Sequence, residues 1–244
     1  MKYLLFVLFF LSHQSHSYIL ISDLDDTLKI TNAKNFLPAS YNGVFTKKLF
    51  SGVRSYLLGT ELQRDKLFIV SASPAILYQK VQDLFLSNNI DFDQIILRKN
   101  IKEDKFNYKV KAIEKILQTE MGDVVFLGDD VDKDPEVFAE IYKRFPGRVK
   151  AIYIRTVRNR NFSGTPFAVM AEVANLEFWQ GRLDLVSLFQ VLQDHRVDPL
   201  KKIIPKFAWC PSNLEWKTTC ESTLASDCLE ISKRIEHHCQ IKTR

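Results

Sequence analysis

Two acidic clusters carry the chemistry open to this sequence. The first, Asp23-Leu24-Asp25-Asp26-Thr27, follows the apolar run Tyr18 to Ser22; the second, Gly128-Asp129-Asp130-Val131-Asp132-Lys133-Asp134, follows Val124 to Leu127. If the two runs are neighbouring strands, several carboxylates meet at one place, and like charges that close raise one another's pKa unless a cation joins them. A hard divalent ion answers that need, and Mg²⁺ suits because it takes oxygen ligands and keeps positions open for phosphate and water. Solvated turn residues after strands would account for a single D-x-D, but two clusters at two strand ends argue against that reading. Asp130-x-Asp132-x-Asp134 also has the opening spacing of a calcium loop, yet its glycine position holds Pro135 and its terminal glutamate position Ile141.

The elements that must position these groups alternate. Five short apolar runs, Tyr18 to Ser22, Leu67 to Val70, Gln94 to Leu97, Val124 to Leu127 and Ala151 to Ile154, have the continuous character of strands buried on both faces. Helical patterns lie between them over Thr46 to Thr60, Ala75 to Asn88, Tyr108 to Glu120 and Pro135 to Arg144. Pro135 suits a first helical turn with Asp134 before it as N-cap, and Phe145-Pro146-Gly147 closes that segment. Such alternation implies a parallel sheet with helices on both faces. Right-handed crossovers then bring the strand ends to one rim, where ligands of doubly wound folds bind. Beyond Arg155, Val157 to Gly164 is basic and loop-like, Arg182 to Gln193 reads as an amphipathic helix, and a cysteine-bearing tail runs from Asp198.

Of 244 residues 46% are apolar and 26% charged, which excludes collagen, disorder and a multi-span membrane protein. Thirty-four Lys and Arg against 29 Asp and Glu leave a net charge of +5, spread without a basic stripe. Nucleic acid is therefore not expected as a partner. Met1 to Ser17 has the form of a secretory signal peptide: Lys2, nine apolar residues from Tyr3 to Leu11, then Ser15-His16-Ser17. At 1.5 Å per residue that run is too short to cross a hydrocarbon core of about 30 Å; the alternative is a buried first strand or helix. All four cysteines (Cys210, Cys220, Cys228, Cys239) lie near the C-terminus, so two disulfides in an exported protein are expected, periplasmic or secreted. Three pairings are open. A zinc site using Cys239 with His237 or His238 is the rival, but no C-x-x-C knuckle supports it.

ILISDLDDT resembles the first motif of the haloacid dehalogenase superfamily of aspartate-dependent phosphohydrolases. Tyr18 to Val157 resembles one branch of it, the actin-patch-type phosphatidate phosphatase catalytic domain, through SDLDDTLKIT (22 to 31), VSASPAILY (70 to 78) and FLGDDVDKDPEVFAEIYKRFPGRVKAIYIR (126 to 155). The resemblance implies an α/β fold: a doubly wound, parallel, five-stranded Rossmann-like sheet in the order 3-2-1-4-5, without a cap; the stretch 158–244 lies outside the resemblance and reads from its cysteines as a helical disulfide-stapled appendage. It also implies that Asp23 is the nucleophile that becomes an aspartyl-phosphate. Asp25 would protonate the leaving oxygen and then activate water. Thr27 would brace the turn, Ser71 would hydrogen-bond the phosphoryl oxygens, and Lys109 would neutralise those oxygens and Asp23. Asp129 would complete an Mg²⁺ site with the Asp23 carboxylate and the Asp25 backbone carbonyl, while Asp134 would orient a water on the ion. Ser73 and Asp130 stand with these as supporting residues; Asp130 replaces a small polar residue of the branch, so either it or Asp129 could approach the metal. Lys102, Lys105 and Lys111 neighbour Lys109, which is preferred on its register with Ile113, Ile116 and Leu117.

Superfamily members that act on small metabolites carry a cap domain in one of two windows. Here Leu28 to Phe45 has 18 residues and Arg98 to Tyr108 has 11, neither enough for a folded domain. An open site suits a large substrate, a phosphorylated lipid or another large phosphomonoester. Arg98, Lys99, Lys102, Lys105, Arg155, Arg158 and Arg160 could hold an anionic membrane surface, or be ordinary solvated charges. Two functions follow: an Mg²⁺-dependent phosphatase on phosphatidate or a related ester, or a non-catalytic interaction protein that keeps the fold. The joint presence of Asp23, Asp25, Ser71, Lys109 and Asp129 favours the enzyme.

Overall fold

The structure is a computed structural model and describes residues 18–32, 48–211, 214 and 216–242. The expected signal peptide, and the first cap window from residue 33 on, lie outside the described residues.

Strands β1 (Tyr18–Ser22), β2 (Arg64–Pro74), β3 (Gln94–Arg98), β4 (Asp123–Asp129) and β5 (Val149–Arg155) run parallel, and β6 (Thr165–Phe167) adds a sixth for the order 3-2-1-4-5-6. Five strands are legible as unbroken apolar runs. The sixth has three residues, too few to make such a run, and carries Pro166, which a strand tolerates at the sheet edge that β6 occupies. β1 is central, with Ser22 level with Ile69 on one side and Leu127 on the other.

Alternation along each strand feeds two cores. Ile19, Ile21, Phe68, Val70, Val124 and Phe126 pack against α3 (Lys105–Thr119) and α4 (Asp134–Arg144). Tyr18, Leu20, Leu67, Ile69, Val125 and Leu127 face α1 (Val53–Gly59), α2 (Tyr78–Leu86), α5 (Met170–Trp179) and α6 (Leu185–Val197). Apolar burial on both faces is why these strands show no polar alternation. Helix α1 covers only the later part of its expected span, because Leu49 instead pairs in a bridge with Lys29. Helix α3 starts at Lys105 rather than Tyr108, capped by Asp104, which accepts from the Asn107 N–H at 3.0 Å. Asp134 is not an N-cap: it is the first residue of α4, Lys133 precedes it without a side-chain cap, and its carboxylate turns inward.

Helix α5 has no polar stripe to mark it in the sequence, since most of its residues are buried. α6 starts three residues later than its pattern suggests, capped by Asp184 on the Ser187 N–H at 2.7 Å. After α7 (Leu200–Ile203) and α8 (Trp216–Thr219), α9 (Ala225–Lys242) closes the described chain. Disulfides Cys210–Cys239 and Cys220–Cys228 settle the three pairings and leave no cysteine thiol for zinc. Ile231 and Ile235 of α9 are buried in the same cluster as the strands, so the extension packs into that core. Among the described residues no helix is long and apolar enough to cross a membrane.

Candidate active site

Adjacent β1 and β4 end at the same rim, and the Asp23 N–H donates to the Leu127 carbonyl at 2.9 Å, so Asp23 and Asp129 leave the sheet side by side. Asp134 arrives from the start of α4. Gly128 makes that approach possible: a Cβ there would lie 2.7 Å from the Asp134 Cβ and 2.6 Å from the Phe138 ring. Carboxylate oxygens of Asp23, Asp129 and Asp134 all lie within 4.8 Å of one another, and all three residues are buried. Lys109 reaches in from α3; its Nζ donates to Asp23 Oδ1 at 2.6 Å and forms an ion pair with Asp134. The Thr27 hydroxyl donates to Asp129 Oδ2 at 2.9 Å and lies 3.4 Å from Asp23 Oδ2. Backbone donors complete the cluster, Val131 N–H to Asp129 Oδ1 at 2.7 Å and Asp129 N–H to Asp134 Oδ2 at 3.2 Å.

Burial pushes the Asp23 carboxyl up to about 8, with Lys109 opposing the rise and Asp134 and Asp25 adding to it. Burial likewise raises Asp129 and Asp134. For Lys109 burial disfavours the charge, but Asp134 and Asp23 outweigh it and hold the ammonium above its usual range. One ammonium among three carboxylates leaves two negative charges unbalanced when all ionise. An all-oxygen donor set with that deficit fits a hard divalent cation.

The Asp25 side chain lies outside this cluster. Its Oδ1 accepts from the Thr31 hydroxyl at 2.7 Å and its Oδ2 from the Ser73 hydroxyl at 2.6 Å. Ser71 is buried, and its Oγ accepts from the Ser73 N–H at 3.1 Å, which leaves its own proton to donate. Asp130 does not join the acidic cluster. Its carboxylate accepts from the N–H groups of Val157 and Arg158, each at 2.7 Å, and of Arg160 at 3.1 Å, so it pins the loop after β5. Asp26, at φ +60°, accepts from the Thr31 and Asn32 N–H groups at 2.8 and 2.7 Å and folds the loop after β1. Of the neighbouring lysines, Lys105 pairs with Asp132 and Lys111 with Glu103, while Lys102 is exposed.

Residues 18–156, which carry Asp23, Asp25, Thr27, Ser71, Lys109, Asp129 and Asp134, match the model of the family described as phosphatidate phosphatase APP1, catalytic domain. The chain belongs to that family. No curated protein matches it. Among solved structures it is similar to a chain of the Pnkp1/Rnl/Hen1 complex at 18% identity and a TM-score of 0.39, covering 56% of this chain and 45% of that one. A chain of the Pnkp1/Rnl/Hen1 RNA repair complex is similar at 16% identity and a TM-score of 0.36, covering 64% and 43%. This chain spans less than half the length of each of these two chains.

The stretch matched to the phosphatidate phosphatase family ends one residue beyond β5 and leaves β6 to α9 outside it. Arg155, within the stretch, is a site residue whose place the sequence does not show. It is 1% exposed and so cannot touch a membrane. Its Nε donates to the Thr27 carbonyl at 3.0 Å, its Nη1 donates to the Ala168 carbonyl at 2.9 Å, and its guanidinium stacks 3.9 Å from the Phe50 ring centre. Burial lowers its pKa to about 9. Arg155 therefore sets the residue whose hydroxyl bridges Asp129 and Asp23. Arg160 is also engaged, with the Asp130 and Asp132 carbonyls at 2.7 Å each and Glu136 at 3.1 Å. Arg98 donates to the Glu103 carbonyl at 2.9 Å. Exposed at this rim are Lys99, Lys102, Lys105 and Arg158, with Lys105 already ion-paired. Between β3 and α3 the chain makes only a turn, with no folded cap.

Proposed function

We propose that this chain is an Mg²⁺-dependent phosphomonoester hydrolase that works through an aspartyl-phosphate on Asp23, and that its substrate is phosphatidate, released as diacylglycerol and phosphate. The observation that carries this reading is the meeting of Asp23, Lys109, Asp129 and Asp134 in a chain of the phosphatidate phosphatase family.

Asp23 attacks phosphorus; as its bond to phosphorus forms, the bond from phosphorus to the alcohol oxygen breaks. Asp25, two residues on, gives its proton to that oxygen. In the second half Asp25 takes a proton from the water that attacks phosphorus; the bond from phosphorus to the Asp23 carboxylate oxygen breaks, and phosphate leaves. Ser71 and Lys109 hold the phosphoryl oxygens, with Lys109 also fixing Asp23 Oδ1 at 2.6 Å. The ion would be held by the carboxylates of Asp23 and Asp129 and the backbone carbonyl of Asp25, with Asp134 alongside, and would supply positive charge to the phosphoryl group. Short windows between strands suit a large substrate presented from a surface, and exposed Lys99, Lys102 and Arg158 are placed to meet anionic headgroups.

We further propose export, with residues 1–17 as signal peptide, 18–157 as catalytic domain and 158–244 as extension, in a periplasmic or secreted protein. Two disulfides support an oxidising compartment.

The test is phosphate release from micellar phosphatidate, lysophosphatidate, a phosphopeptide and p-nitrophenyl phosphate. Release should require Mg²⁺, cease in EDTA, vanish in Asp23→Asn and be greatest on phosphatidate. Equal release by wild type and Asp23→Asn would remove Asp23 as nucleophile and favour the non-catalytic interaction protein.

A further inference from the structure

Asp25 has both carboxylate oxygens engaged by hydroxyls from two separate segments. Thr31, in the loop after β1, is 3% exposed and is itself fixed by its N–H on Asp26 Oδ1 at 2.8 Å. Ser73, near the end of β2, is fixed by its N–H on Ser71 Oγ at 3.1 Å, and the β2–β3 register shifts between Ser71 and Pro74. The Ser71 hydroxyl is thus left for the phosphoryl group and the Ser73 hydroxyl for Asp25.

We propose that Thr31 and Ser73 are positioning residues that clamp the Asp25 carboxyl for proton transfer to the leaving oxygen. This rests on the phosphatase reading above. A carboxylate turns broadly about its Cβ–Cγ bond, and two hydroxyls at 2.7 and 2.6 Å on opposite oxygens remove that freedom. Hydroxyls suit the task because each can donate to ionised Asp25 and can turn to accept when Asp25 carries its proton. That proton goes to the alcohol oxygen as its bond to phosphorus breaks, and water restores it to Asp25 in the second step, so the clamp gains and loses nothing.

A clamp on the general acid has a signature that a structural role lacks: its loss is felt in proportion to how much the leaving group needs a proton. Phenyl phosphate and p-nitrophenyl phosphate are nearly the same size, and phenolate is the poorer leaving group. In Ser73→Ala and in Thr31→Val, kcat/KM on phenyl phosphate should fall by about 100-fold and that on p-nitrophenyl phosphate by less than about 10-fold. Ser73→Thr and Thr31→Ser, which keep the hydroxyl, should restore most of the loss. The two variants come from different segments, and either one alone decides the matter if the other does not fold. A proportional loss on both esters, or no loss on either, overturns the clamp and leaves the phosphatase standing. Wild type showing no Asp23-dependent release from either ester overturns both.

Discussion

Without a divalent ion, the folded protein should lose stability as the pH rises from 6.5 to 8. Asp23 is pushed up to about 8 by burial, against an ordinary value of 3.8, so between those limits the folded chain holds a proton that the unfolded chain has released. Where the folded state binds more protons, stability falls with rising pH, by about 1.4 kcal/mol per unit for each proton. For a chain of this size, that lowers Tm by about 3–6 °C per pH unit. Asp129 and Asp134 are raised in the same direction. His195 has the opposite sign. Burial lowers it to about 4, so its contribution is complete above its ordinary 6.5 and is lost as the pH falls towards 4. The window from 6.5 to 8 therefore isolates the carboxylates. Mg²⁺ should flatten the slope by stabilising the ionised carboxylates, so its gain in Tm should grow with pH. Asp23→Asn should shrink the slope in EDTA and melt above wild type at pH 8 while losing activity. Thermal melts at four pH values, in EDTA and in Mg²⁺, measure all of this. A Tm in EDTA that is flat or rises across the window, or an Mg²⁺ gain equal at both ends, would refute the assignment of this cluster as a proton-holding cation site.

Replacing Lys109 by Met removes the one ammonium set between Asp23 and Asp134. Phosphate release should drop by about 10²–10³-fold, as for loss of a buried charge-stabilising group, while calorimetric titration finds Mg²⁺ bound at least as tightly because a competing cation has gone; loss of Mg²⁺ binding would contradict this. Gly52 sits at φ +75°, and a Cβ there would lie 2.4 Å from His195 Cε1, so Gly52→Ala must both strain the backbone and part α1 from α6. The left-handed conformation alone costs about 1–2 kcal/mol, and Tm should fall by about 5 °C or more, checked by the same melts.

The strands and the two acidic clusters are legible in the sequence for a local reason. A strand covered on both faces is an unbroken apolar run, and right-handed crossovers bring the ends of parallel strands to one rim, so Asp23 and Asp129 can be placed at that rim before any coordinates exist. A lysine at the site is what the family resemblance implies, and register with Ile113 and Ile116 sets Lys109 apart from Lys105 and Lys111. Where a side chain turns was a different matter. Asp129 and Asp130 are adjacent and identical in type, yet one joins the cluster while the other pins Val157 and Arg158, because successive residues leaving a strand point opposite ways. Asp134 before Pro135 reads as a cap, whereas in the fold the Asp129 N–H and Lys109 from another helix hold its carboxylate inward. Arg155 reads as a surface charge, but the Thr27 and Ala168 carbonyls and the Phe50 ring make a buried place for it. Four cysteines permit three pairings until the fold sets Cys210 beside Cys239. Composition and period decide which segments are buried, since burial is a property of one segment and its solvent; partners were decided only by the tertiary structure, since each contact joins groups that the chain itself holds far apart.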